Sequence, residues 1–160
     1  MHEVKIMQLT QKETSLLKDL KEQEQICVEK YGKYSSDAAD PQLKNLFSQI
    51  SQAEKQHLDT INQIIGGTVP TMQSDGNQQQ PQQTFTAKYT AADQNQDKQK
   101  DSYLCTDLLS TEKHVSSSYN TSIFEFRDTN IRDVLNHIQK EEQQHGEQLY
   151  NYMAQNGMYS

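Results

Sequence analysis

The chain has no tryptophan, only two cysteines and three prolines among its 160 residues. Two cysteines, Cys27 and Cys105, cannot build a disulfide framework. Both fall in helical patterns beside apolar residues, which reads as buried thiols. No apolar run approaches the ~20 residues of a membrane-spanning helix. The first ten residues alternate polar and apolar types without a signal-peptide core, so an intracellular, unsecreted protein is expected. Positive charge is also in short supply. The net charge of −7 argues against nucleic acid as the main partner and against an anionic membrane surface. Hydrophobic residues make up only 32% of the chain. A core this thin suits long helices with narrow apolar stripes better than a sheet sandwich. The length suits one domain, 1–160, and is too short for two ordinary ones.

What is present is helical periodicity in four segments. The first covers roughly 8–34. The second opens at Asp40 and Pro41, a cap residue with proline at the first helical position, and stops at Gly66 and Gly67. The third covers roughly 101–127. The fourth follows Asp128, Thr129 and Asn130 and ends near Gly157. Short turns at 35–39 and at Asp128 and Thr129 make antiparallel hairpins of 8–66 and 101–157. Between them, 67–100 is polar and of low complexity, with Pro70, Gly76, Pro81 and glutamines at 78, 79, 80, 82 and 83. It reads either as a linker between separate hairpins or as a crossover along one bundle. A helix of about 26 residues is about 39 Å long at ~1.5 Å per residue, which an extended linker spans with slack.

An internal repeat organises the whole. Asp19, Leu20, Glu24 and Tyr31 recur as Asp107, Leu108, Glu112 and Tyr119. Asp40 recurs as Asp128. Ile50, Glu54, Gln56 and His57 recur as Ile138, Glu142, Gln144 and His145. Each counterpart lies 88 positions on, as 112 lies after 24 and 145 after 57. One offset across two helices indicates two copies of a helical hairpin. Packed about a pseudo-twofold axis, they make an all-α four-helix bundle.

Chemistry lies in the apolar stripes. The second helix reads Leu43, Leu46, Phe47, Ile50, Glu54, His57, Ile61, Ile64 and Ile65, in steps of three and four. The fourth reads Ile131, Val134, Leu135, Ile138, Glu142, His145, Leu149, Tyr152 and Met153. The first carries Leu20, Glu24, Cys27 and Tyr31, and the third Leu108, Glu112, Val115 and Tyr119. Each helix thus places a carboxylate at a core position, and two add a histidine one turn on. Burying one unpaired carboxylate costs several kcal/mol or forces its protonation. Four negative charges at one level are balanced by two divalent cations. Glu24, Glu54, His57, Glu112, Glu142 and His145 are therefore the candidate metal ligands, each metal taking a Glu-x-x-His pair. The glutamates of the first and third helices would bridge or cap. Mixed carboxylate and imidazole donors favour iron or manganese over a closed zinc site.

Tyr31 and Tyr119 lie two turns beyond Glu24 and Glu112. They read as core residues with a bonded hydroxyl, and less strongly as catalytic, redox-active partners of the metals. Asp19 and Asp107 flank the stripe and are weaker candidates for orienting a histidine. His2, His114, His137, Glu22 and Asp59 fall outside the constellation.

The six-ligand pattern resembles the ferritin-like superfamily, with its bacterioferritins, rubrerythrins and manganese catalases. The tyrosine two turns past the first glutamate is similar to a bacterioferritin feature. The wording of the second half resembles the spore coat protein F (Coat F) family. It is carried by Asp107, Leu108, Leu109, Ser110, Thr111, Glu112, Lys113, His114 and Val115, then Tyr119, Asn120 and Thr121. Tyr152, Met153, Ala154, Gln155, Asn156, Gly157, Met158 and Tyr159 complete it. That resemblance implies synthesis in the mother-cell cytoplasm and assembly into the spore coat, with other coat proteins or copies of itself as partners. Ferritin cages carry a fifth short helix and rubrerythrins a cysteine-rich iron site. Neither is seen here, so a small oligomer or monomer is expected. Two functions stay open. One is a di-iron or di-manganese oxidoreductase acting on ferrous iron, peroxide or dioxygen; six ligands over two metals leave open positions for it. The other is a structural coat component in which metal only stabilises the fold. A role for the glutamine-rich segment as an adhesive tether is a weaker third.

Overall fold

A computed structural model describes residues 8–71 and 83–159. The glutamines at 78, 79, 80 and 82, together with His2, lie outside the described residues. The described chain forms α1 (Gln11–Asp37), α2 (Pro41–Ile65), α3 (Gln96–Ile123) and α4 (Thr129–Gln155). Among the described residues there is no strand, and no helix is long and apolar enough to cross a membrane.

Local chemistry sets the boundaries. Thr10 and Glu13 form a reciprocal capping box that opens α1. The side chain of Asp40 accepts from Gln42 N, and Pro41 fills the first helical position of α2. Asp128 accepts from Asn130 N and Ile131 N to open α4. The third helix begins earlier than its apolar stripe, because Asn95 accepts from Lys98 N and caps it there. The first runs past residue 34, since nothing breaks it before Asp40 is held extended ahead of Pro41.

α1 packs on α2 and α3 on α4, and the hairpins meet through α1 with α3 and α2 with α4. The expected apolar stripes form one core, from Leu17, Leu43 and Phe47 through Leu108, Ile131 and Leu149. Its cysteines, Cys27 and Cys105, are buried and free, and burial pushes both thiols up.

From residue 83 on, the connection lies along the bundle, and the two hairpins pack on each other rather than standing apart. Gln83 Nε2 donates to Gln49 Oε1, and Gln42 exchanges bonds with the Thr86 backbone. Phe85 packs edge-on against Tyr152, with ring centroids 5.3 Å apart. Asn156 Oδ1 accepts from Lys88 N and Tyr89 N. Lys98 Nζ then donates to the carbonyls of Thr90, Ala91 and Asp93. The chain therefore returns from the end of α2 to its beginning, where α3 starts and α4 finishes. Gly157 closes this junction at φ +63°; a Cβ there would lie 2.5 Å from Ala91 N.

Each hairpin also clasps the other's turn. Glu13 Oε2 on α1 accepts from Arg127 N at 3.2 Å. Asp101, 88 positions later on α3, accepts from Ala39 N at 2.8 Å and Asp40 N at 3.0 Å. Tyr89 adds a third bond to Asp101 at 2.8 Å.

Candidate metal centre

Glu24, Glu54, His57, Glu112, Glu142 and His145 meet at mid-bundle, none of them more than 5% exposed. They interrupt the apolar stripes, with hydrophobic layers above and below. Two overlapping groups emerge. Ligand atoms of Glu24, Glu54, His57 and Glu142 all lie within 4.8 Å of one another, and so do those of Glu54, Glu112, Glu142 and His145. Glu54 and Glu142 belong to both groups, whereas Glu24 and Glu112 belong to one each. The glutamates of α1 and α3 are thus placed to cap, and those of the Glu-x-x-His pairs to bridge.

Contacts cross between hairpins in matched pairs. His57 Nδ1 lies 2.8 Å from Glu142 Oε1, and His145 Nδ1 lies 2.7 Å from Glu54 Oε1. His57 Nδ1 is 3.7 Å from Glu24, and His145 Nδ1 is 3.5 Å from Glu112. Tyr31 Oη donates to Glu112 Oε1 at 2.6 Å, and Tyr119 Oη to Glu24 Oε1 at 2.6 Å. Both tyrosines are core residues with bonded hydroxyls. Their partner is the glutamate of the opposite hairpin, not the one on their own helix.

The cluster's polar atoms are poorly satisfied by protein alone. Glu24 Oε2, both Glu54 oxygens, Glu112 Oε2, Glu142 Oε2 and His145 Nδ1 are buried without a hydrogen-bond partner. His145 Nδ1 and Glu54 Oε1 are close enough to pair, yet they are not aligned as a hydrogen bond. Each group gathers one ligand atom from each of its four residues to a common point, within 4.8 Å of one another. Buried orphan acceptors cost about 1–3 kcal/mol apiece, more when charged. A cation at that point satisfies several at once, so the residues present fit two divalent metals.

Protonation tells the same story. Burial, and next the charge of Glu54, push Glu24 up to about 8. Burial and the neighbouring Glu112 hold Glu142 well above the usual carboxylate range. Burial acts on Glu54 in the same direction, but the nearby imidazoles of His145 and His57 outweigh it and hold Glu54 low. Burial would discharge His57 and His145, yet the surrounding carboxylates keep both well above the ordinary histidine value. Ligating carboxylates and imidazoles must be deprotonated at the ligand atom, so cation binding here would release protons.

Other candidates fall elsewhere. Asp107 accepts from Tyr34 Oη at 2.7 Å and Lys30 Nζ at 3.1 Å, and touches no histidine of the cluster. Asp19, Glu22, Asp59 and His114 are exposed. The residue that does reach a cluster histidine is Glu141, whose Oε1 lies 3.1 Å from His57 Nε2. Helical periodicity does not single it out, because it falls off the apolar stripe that carries Glu142 and His145. The available signal was a break in the repeat, since its counterpart 88 positions earlier is Ala53.

Fold and site together define a four-helix bundle with a buried, carboxylate-rich cluster able to hold metal ions. Within that class, residues 100–160 match the Coat F domain, which bears out the likeness seen in the wording of α3 and α4. No curated protein and no solved structure matches the chain.

Proposed function

We propose that this chain is a ferritin-like protein of the spore coat whose buried cluster holds a dinuclear iron or manganese centre. One observation carries the reading: two groups of four buried donors share Glu54 and Glu142, and five of their carboxylate oxygens lack partners. Glu24, Glu54, His57 and Glu142 hold one cation; Glu54, Glu112, Glu142 and His145 hold the other. Bound iron or manganese would supply one-electron chemistry toward ferrous iron or peroxide. The chain's own part is to fix the donors and exclude bulk water. Tyr31 and Tyr119 hold Glu112 and Glu24 in place, and they are the candidate redox side chains. The whole of 1–160 acts as one domain of two duplicated hairpins.

The coat assignment rests on the Coat F match and implies synthesis in the mother cell and assembly with coat proteins or with itself. A second reading has a specific support. Donors at most 5% exposed leave little access for a substrate, which favours a non-enzymatic coat component stabilised by its metals.

Anaerobic reconstitution with ferrous or manganous ion, followed by metal analysis, tests the centre: two ions per chain are expected. Ferrous-oxidation and peroxide-consumption assays then separate the readings. Full occupancy without turnover leaves the structural role. No bound metal refutes both.

A further inference from the structure

The two halves of the cluster have closely similar inner distances and diverge at one outer contact. On the His57 side, Nε2 lies 3.1 Å from Glu141 Oε1, and the same oxygen lies 3.0 Å from His137 Nε2. On the His145 side, the position equivalent to Glu141 is Ala53 and that equivalent to His137 is Gln49. Alanine offers no acceptor, and Gln49 is turned to Gln83 in the crossover. Among the described residues, no side chain accepts from His145 Nε2.

This difference bears on metal affinity. A histidine that ligates through Nδ1 keeps its proton on Nε2. An acceptor at Nε2 fixes that tautomer, locks the ring plane and strengthens the donor; losing such a partner typically weakens metal binding by about 10–100-fold. The inner donors are otherwise alike, with two glutamates shared and one capping glutamate each. The capping glutamates are matched down to their tyrosine bonds at 2.6 Å. The outer contact is therefore free to decide which half binds first. Glu141 is itself steadied for this task, since His137 sits one turn before it on α4 and shares its oxygen.

We propose that Glu141 is a positioning residue that makes the two cation positions inequivalent, so that the half containing His57 fills before the half containing His145. This rests on the metal-binding reading above and adds an order of loading to it. The position of Glu141 beside Glu142 lets one turn of α4 serve both halves: Glu142 bridges, and Glu141 braces the histidine from α2.

Titration of the metal-free protein with Co(II) under argon, followed by calorimetry and by the visible absorption of the bound ion, tests the assignment. The wild-type chain should bind two ions in unequal steps. Glu141→Ala should weaken the tighter step about tenfold or more and leave the weaker one in place. Glu141→Gln, which keeps an acceptor oxygen, should recover most of the loss. Ala53→Glu installs the missing carboxylate beside His145 and should draw the two steps together. Circular dichroism of each metal-free variant separates these effects from misfolding. Two equal steps in the wild type, or unequal steps that Glu141→Ala leaves unchanged, overturn the proposal and leave the metal centre standing. A wild-type chain that binds no cobalt overturns both.

Discussion

Glu54→Gln and Glu24→Gln are chemically the same change, but the geometry gives them different reach. Glu54 belongs to both groups of donors and Glu24 to one. A ligand that binds only the folded state stabilises it by about 2.7 kcal/mol at a hundred times its dissociation constant. Two such cations give about 5.4 kcal/mol. For a domain of this size, 1 kcal/mol moves the melting temperature by roughly 2–4 °C, so saturating metal should raise it by about 10–20 °C. Glu24→Gln should remove about half of that rise, because one position keeps its four donors. Glu54→Gln should remove nearly all of it. Thermal unfolding followed by circular dichroism, once in chelator and once in excess anaerobic Mn(II), gives the rise for each variant as a difference. Changes in the stability of the metal-free bundle then cancel. Equal losses in the two variants, or a Glu54→Gln protein retaining more than half of the wild-type rise, would refute the sharing of Glu54.

The clasps between hairpins are unequal. Asp101→Ala strands three donors (Ala39 N, Asp40 N and Tyr89 Oη), and at about 1–3 kcal/mol each should cost roughly 3–9 kcal/mol in urea unfolding under chelator. Glu13→Ala loses a capping box and one long bond to Arg127 N and should cost only about 1–2 kcal/mol. Tyr31→Phe and Tyr119→Phe each remove a buried bond to a glutamate. They should destabilise the metal-free protein by similar amounts, about 1.5–3 kcal/mol each, read from the same unfolding curves. The pH dependence of Glu13 has a definite sign. Burial raises its pKa, but bonds from Thr10 N and Arg127 N outweigh that and hold it below the ordinary 4.5. Its contribution is therefore complete above about pH 4.5 and lost as pH falls through the lower folded value. The stability gap between wild type and Glu13→Gln, measured from pH 7 to 3, should be constant at first and then close.

Much of the site was legible because helical geometry is periodic and the repeat is ungapped. Steps of three and four put Glu54 and His57 on the face of Leu43 and Ile61, and a constant offset put Glu142 and His145 opposite them. What periodicity cannot express is which partner a side chain reaches across the bundle. Tyr31 lies on the same face as Glu24, yet its hydroxyl bonds Glu112, because antiparallel packing of α1 on α3 brings the two helices past each other at that level. Asp107 was a reasonable candidate to orient a histidine by its position. It is taken instead by Tyr34 and Lys30, which project from the end of α1. The start of α3 was misplaced for a local reason: the turn of helix opened by Asn95 is polar, and its Lys98 is buried by bonding carbonyls of the crossover, not by hydrophobicity.

The repeat informs twice, once where it holds and once where it fails. Where it holds, at the six inner donors and the two tyrosines, it gathers two overlapping groups of donors that could each hold a cation and whose oxygens protein partners leave largely unsatisfied. On the proposed reading, a thin apolar core would draw stability from cations at the level where its stripes are interrupted. Where it fails, the reason is local and chemical. Glu141 facing His57 and Ala53 on the His145 side would, on the proposed reading, give a nearly symmetric cage one half that fills first. A duplicated hairpin begins with two equal halves, and each substitution that breaks the match gives a means of telling them apart. Because Glu54 and Glu142 belong to both groups, a cation in one half would order them for the other. An outer carboxylate on one histidine is then enough to set the sequence of both events.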